Sequence, residues 1–318
     1  MSFPTRPPSV RRWAGATAVI VATSLMLAGC TGDGQRPVSD ETRETGGTGS
    51  PSPSGEPSQE PTPEPTSEPT SEPTSEQPGT AVPLYFAGDG PRSTALFREF
   101  QRVEGDPLTE AARIVAGSGA PIDPDYRTLW PQVEISSVTA TDGVLLVEIP
   151  SDGFTERPDG MSKRDARLAL QQLVYTLQGV QQERVPVMVQ REGGLTLFGL
   201  PTDAPFEAAS ALRTLNLINI TSPAEGDTVT GDTLTVSGVA NSFEASGPCR
   251  LIVGGQEVAL EGYQSDGWME DKLFPFEVEL PLDGVSGEAV VQCETDDPSG
   301  GAEGNGPAID TRTIRLAG

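Results

Sequence analysis

Between about Gly32 and Thr80 the chain is built from Pro, Ser, Thr, Glu and Gly, with almost no large apolar residue. Within it Pro65-Thr66-Ser67-Glu68 starts again at Pro69 and at Pro73. Such a tract cannot bury enough apolar surface to offset the entropy of ordering it. It is expected to be a disordered linker, stiffened toward polyproline II and stretched by its own like charges. At ~3.1 Å per residue, roughly 50 residues can reach on the order of 150 Å. A core can come only from the chain beyond the tract, and that confines folding to residues 81–318.

The segment before the tract has three zones. Arg6, Arg11 and Arg12 form a basic flank, and Trp13 to Ala28 is free of charge, with Val19, Ile20, Val21, Leu25, Met26 and Leu27 at its centre. This is the pattern of a secretory signal, predicted here over residues 1–29. An apolar stretch of about 16 residues is short for a permanent span, which needs about 20. Leu27-Ala28-Gly29-Cys30 closes the segment. It resembles the lipobox of bacterial lipoproteins, which implies lipidation of Cys30 and residence on the extracytoplasmic face of the cell membrane. An uncleaved single-span anchor is the other reading. Both place the remainder outside.

Charge and cysteine use narrow the function classes. The chain carries 21 basic and 46 acidic side chains, net −25, and no histidine. Residues 201–318 account for −15 of this and residues 31–80 for −8. A surface so acidic repels nucleic acid and anionic headgroups, so no nucleic-acid partner is expected. Without histidine, Ser-His-Asp and Cys-His arrangements and most zinc sites are excluded. Beyond Cys30 only Cys249 and Cys293 remain. Outside the cell, an even pair reads as a structural disulfide, with two buried thiols as the alternative.

The ordered part divides by pattern. Val82-Pro83-Leu84-Tyr85-Phe86 reads as a strand, and Leu96–Val103 and Leu108–Ala116 have helical spacing. Val133–Thr139 and Val144–Ile149 read as strands around Thr141-Asp142-Gly143, a strong local hairpin signal. From Ser162 to Val180 the residues Ala166, Leu170, Leu173, Val174, Leu177 and Val180 form one apolar helical stripe. Val185–Val189 is a further strand, leading through Gly193-Gly194 into Leu195–Phe198. The expected order is β-α-β-β-α-β, an α+β domain over residues 81–200 with helices on one face of an open sheet. From Leu217 onward only short strands with turns between them appear, at 217–220, 233–238, 249–253, 274–280, 289–293 and 311–316. They predict an all-β sandwich over residues 216–318.

These pieces also carry a family resemblance. Val82–Phe86, Leu108-Thr109-Glu110-Ala111-Ala112, the hairpin ending Val144–Ile149 and Gln171–Leu177 resemble the GerMN domain of spore germination proteins. Where that family often has Gly-Pro after its second helix, this chain has Gly117-Ser118-Gly119. Ile220-Thr221-Ser222-Pro223, Leu234–Ala240, Asn241–Ala245 and Phe274-Pro275-Phe276 resemble the immunoglobulin-like domain that often follows GerMN. The resemblance implies a scaffolding role with no enzymatic activity and no cofactor, and the two cysteines are not part of its pattern.

Candidate sites are few. Asp266, Glu270 and Asp271 around Trp268, and Glu294, Asp296 and Asp297 before Gly300-Gly301, offer oxygen ligands of the kind calcium takes. Neither group has EF-hand spacing, and both read better as solvated acidic surface, so no metal is expected. Trp268, Phe274 and Phe276 read as packing aromatics. Ser162-Lys163 and Ser137 lack Ser-x-x-Lys spacing, and there is no P-loop, CxxC or HExxH pattern. No catalytic residue is assigned. The expectation is a non-catalytic envelope lipoprotein, membrane-bound by its lipid, that presents interaction domains on a stalk to an envelope protein or cell-wall partner. The alternative is a binding module for peptidoglycan, glycan or a small molecule.

Overall fold

The computed structural model describes residues 78–297 and 306–317, which fall within one compact unit. The segment 1–29, Cys30 and nearly all of the linker lie outside the described residues, as do Gly300 and Gly301. The chain is α+β in its first folded region and all-β in its second.

The first region opens with β1 (Thr80–Asp89) and β2 (Thr94–Val103), paired antiparallel along their whole length. The helical reading of Leu96–Val103 is thus corrected: this stretch is strand. Its apolar residues do not alternate simply because both faces of β2 meet protein. Phe97 and Val103 join the main core, whereas Leu96 joins a separate cluster with Ala211 and Leu215. The expected order β-α-β-β-α-β is present, with this strand added after the first and a small hairpin after the last.

Helix α1 (Pro107–Arg113) begins as its sequence dictates. Pro107 occupies the first turn, and the Asp106 carboxylate accepts from the Thr109 amide at 2.9 Å. The helix runs into a widened turn, Ile114–Ser118, near whose end Gly117 takes φ +115°. A side chain there would also press on the Gln132 backbone, so glycine suits both demands. Next come β3 (Ser137–Thr141) and β4 (Val144–Ile149), a hairpin with Asp142 and Gly143 both at positive φ. Helix α2 (Lys163–Gln181) starts at a reciprocal Ser162–Asp165 capping box. Strand β5 (Val187–Arg191) then pairs parallel to β4. The strands therefore form two separate ladders, β1-β2 and β3-β4-β5, rather than one open sheet. A small hairpin of β6 (Thr196–Leu197) and β7 (Leu200–Pro201) closes the region.

Helix α2 is buried on two sides. Ala166, Leu170, Leu173, Val174 and Leu177 enter the core, as the stripe predicts. Leu168 and Tyr175, seven residues apart, face a second cluster made with Ala211 and Leu215 of the connector. A short helix, α3 (Ala211–Thr214), lies within this connector.

The second region contains β8 (Ile218–Ser222), β9 (Thr228–Thr230), β10 (Thr233–Ala240), β11 (Ser246–Val253), β12 (Gln256–Ser265), β13 (Phe274–Pro281), β14 (Gly287–Glu294) and β15 (Ile309–Ala317). They hydrogen-bond in the order β8-β10-β13-β12-β11-β14-β15-β9. The ladder curls over its own apolar core, so the layers of the immunoglobulin-like sandwich are continuous through β12. Strand β12 escapes the sequence pattern because only Ala259, Tyr263 and Ser265 are buried along its length. Gly238 is required where β8 crosses closely: an added Cβ would sit 2.4 Å from the Asn219 carbonyl oxygen. Cys249 and Cys293 lie directly opposite each other on β11 and β14 and form a disulfide, a staple within one ladder rather than across layers.

Candidate functional site at the domain junction

The acidic groups singled out from sequence are engaged in structure. Asp271 Oδ1 accepts from Ser210 Oγ at 2.9 Å and from the Leu212 amide at 3.0 Å, tying the connector to the β12–β13 loop. Hydrogen bonding from Leu212 holds its carboxyl below the ordinary range. Glu270 pairs with Lys272 at 2.9 Å, and Asn241 Nδ2 donates to the carbonyls of both. Asp266 stands apart from these contacts, its amide donating to the Pro275 carbonyl. Trp268 packs edge-on against Phe243, while Phe274 and Phe276 are buried. In the second group Glu294 pairs with Arg250 at 3.2 Å, and the Asp296 amide donates to Ser242 Oγ. Among the described residues, no three potential ligands converge on a metal-sized site.

A different cluster, unmarked by any sequence motif, joins the two regions. Connector residues after α3 run beside the free edge of β2: the Asn216 amide donates to the Leu96 carbonyl at 2.8 Å. The Arg98 amide donates to Asn219 Oδ1 at 2.9 Å. Beneath this seam Arg312 on β15 points inward, its side chain only 3% exposed. Its Nη1 donates to Asp123 Oδ2 at 2.7 Å, to Tyr126 Oη at 2.7 Å and to Asp310 Oδ1 at 3.1 Å. Its Nη2 donates to the Ile220 carbonyl at 2.9 Å. Tyr126 Oη donates to Asp310 Oδ1 at 2.5 Å, and Asp310 Oδ2 accepts from the Ile220 amide at 2.6 Å. Glu99 holds the Asp123 loop from the other side by accepting from the Ile122 and Asp123 amides.

Two carboxylates share one guanidinium here, and the second ionisation is opposed by burial and by the first. Desolvation pushes the Asp123 carboxyl up to about 6, against the pull of the Asp125 amide and Arg312. Asp310 is raised for the same reason, and Arg312 keeps its proton because both acids face it. Chemically the cluster is a latch. Its donors and acceptors are spent on each other.

The comparisons with known proteins divide at the same junction. Residues 83–194 match the domain family described as sporulation and spore germination, Germane. Residues 217–302 match the immunoglobulin-like domain of bacterial spore germination, Gmad2. Two regions that match spore-germination domain models thus follow one another along the chain. No curated protein matches the chain as a relative. Among solved structures, the tandem GerMN domains of the sporulation protein GerM from Bacillus subtilis align at 13% identity and TM-score 0.32, over 64% of this chain and 62% of that one. A candidate lipoprotein from Clostridium perfringens aligns at 15% identity and TM-score 0.26, over 40% of this chain and 87% of that one. An engineered protein aligns at 20% identity and TM-score 0.27 over 36% of this chain, which spans only 22% of its length. The Germane region contributes Asp123 and Tyr126 to the latch, and the last strand of the immunoglobulin-like region contributes Asp310 and Arg312.

Arg312→Ala should lower the unfolding free energy by about 3–5 kcal/mol, because it strands two buried carboxylates. Arg312→Met, which fills the space, combined with Asp123→Asn and Asp310→Asn should cost less; denaturant titration measures both. The pH dependence also has a definite sign. Asp123 titrates at about 6 when folded and near 3.8 when unfolded, so its contribution is full below the unfolded value and is lost as pH rises through the folded one. Stability should therefore fall between pH 4 and 6 by up to about 3 kcal/mol from this group, and Asp123→Asn should flatten that slope in urea titrations.

Proposed function

We propose that this chain is a non-catalytic cell-envelope lipoprotein that holds its two modules outside the membrane on a long stalk, as one docking body for an envelope partner. The observation that carries this reading is the match of both folded regions to spore-germination modules, neither described by a catalytic activity. The sequence Leu27-Ala28-Gly29-Cys30, behind a basic flank and an apolar run, supports a diacyl anchor on Cys30. Two acyl chains hold a membrane far more firmly than one, since each buried methylene adds roughly 0.8 kcal/mol. The Pro/Glu-rich tract would then set distance, and the latch would set orientation. A partner meeting this body would find the two modules already positioned, with less ordering entropy lost on binding.

Two outcomes are expected. Cys30→Ser should abolish metabolic acyl labelling of the chain and release it from the membrane fraction; continued labelling of that variant would rule out the anchor. Crosslinking of intact membranes should co-purify a reproducible protein partner. Retention on isolated peptidoglycan with no protein partner would favour the wall-binding alternative instead.

A further inference from the structure

A cleft of about 280 Å³ opens on the face of the junction formed by β1, β2, the end of α2 and the β12–β13 loop. Its floor is aromatic: the rings of Tyr85 and Tyr175 lie 5.4 Å apart, and Tyr175 Oη is committed to the Ala209 carbonyl at 2.5 Å. Three cations surround that floor, Arg98, Arg184 and Lys272, in a chain where acids outnumber bases 46 to 21. Lys272 is paired with Glu270, and Asp271, hydrogen-bonded to the connector, also acts on Arg184 through its charge from beyond ion-pair distance. Arg98 and Arg184 have no carboxylate within 4 Å among the described residues, although Glu183 also lines the cleft. Arg98 is fixed from behind, its Nη2 donating to Thr221 Oγ1 at 2.8 Å and its guanidinium 5.2 Å from the Phe100 ring centre. Its Nε is buried and has no hydrogen-bond partner.

We infer that this cleft binds a small organic carboxylate with an apolar body, the carboxylate on Arg98 and Arg184 and the body on the tyrosine pair. The volume sits at the small end of ligand sites. A guanidinium fork matches a planar carboxylate, and the aromatic floor favours an apolar group beside it. The surrounding field selects against polyanions: at net −25, a polyphosphate is repelled at long range before it reaches three local cations. The same chemistry is offered by a free small acid or by the carboxyl end of a partner's peptide.

Titration of the full-length chain, followed by tyrosine and arginine side-chain NMR signals, tests this with two probes, benzoate for the free acid and N-acetylphenylalanine for the chain end. The expected result is saturable binding of at least one, with the tighter probe identifying the source. N-acetylphenylalaninamide and inorganic phosphate should bind at least 10-fold more weakly. Arg184 and Lys272 are exposed, so Arg184→Gln with Lys272→Gln should keep the unfolding midpoint and weaken binding at least 10-fold. Failure of both probes to bind, equal binding of the neutral amide, tighter binding of phosphate, or unchanged affinity in the double variant would each overturn the inference.

Discussion

The guanidinium of Arg312 satisfies two carboxylates, a phenol and backbone carbonyls in a place that water barely reaches. It is one of only five cations in residues 201–318, and it is spent indoors. Burying two acids and a guanidinium is costly unless every donor and acceptor is matched, so the arrangement tolerates little displacement of one module against the other. Asp123 and Tyr126 come from one region and Asp310 and Arg312 from the other, so each module completes the solvation of the other's charge. A hydrophobic patch of similar size would give adhesion without so defined an orientation.

Other contacts lie around this point and share its geometry. The connector covers the open edge of β2, and Ala211 and Leu215 press on the outer side of α2. Asp271 anchors the start of α3, so the short helix is held from both modules. The cleft with Arg98 and Arg184 exists only because these surfaces meet. These contacts fix the orientation of two folded regions that match spore-germination domain models.

Much of this is legible in the residues. The stripe from Ala166 to Leu177 marks α2, Thr141-Asp142-Gly143 marks the β3–β4 turn, and Phe274, Phe276, Val278 and Leu280 alternate as a half-buried strand must. Strand β2 mimics a helix in sequence because Leu96 faces the connector while Phe97 faces the core, so burial on both faces erases the period of two. Strand β12 hides for the opposite reason, with Glu257, Val258, Leu260 and Glu261 all turned outward. The latch is invisible in sequence because Asp123 and Arg312 stand 189 residues apart, and an isolated Arg or Asp in an acidic sequence reads as surface. A weak signal is present: Asp310 and Arg312 share one face of a strand that should alternate apolar inward and polar outward.

Differential scanning calorimetry of the folded region near neutral pH tests most directly whether the latch makes the two modules one body. A single transition whose calorimetric and van't Hoff enthalpies agree is expected. Two resolved transitions, each assignable to one module, would contradict it.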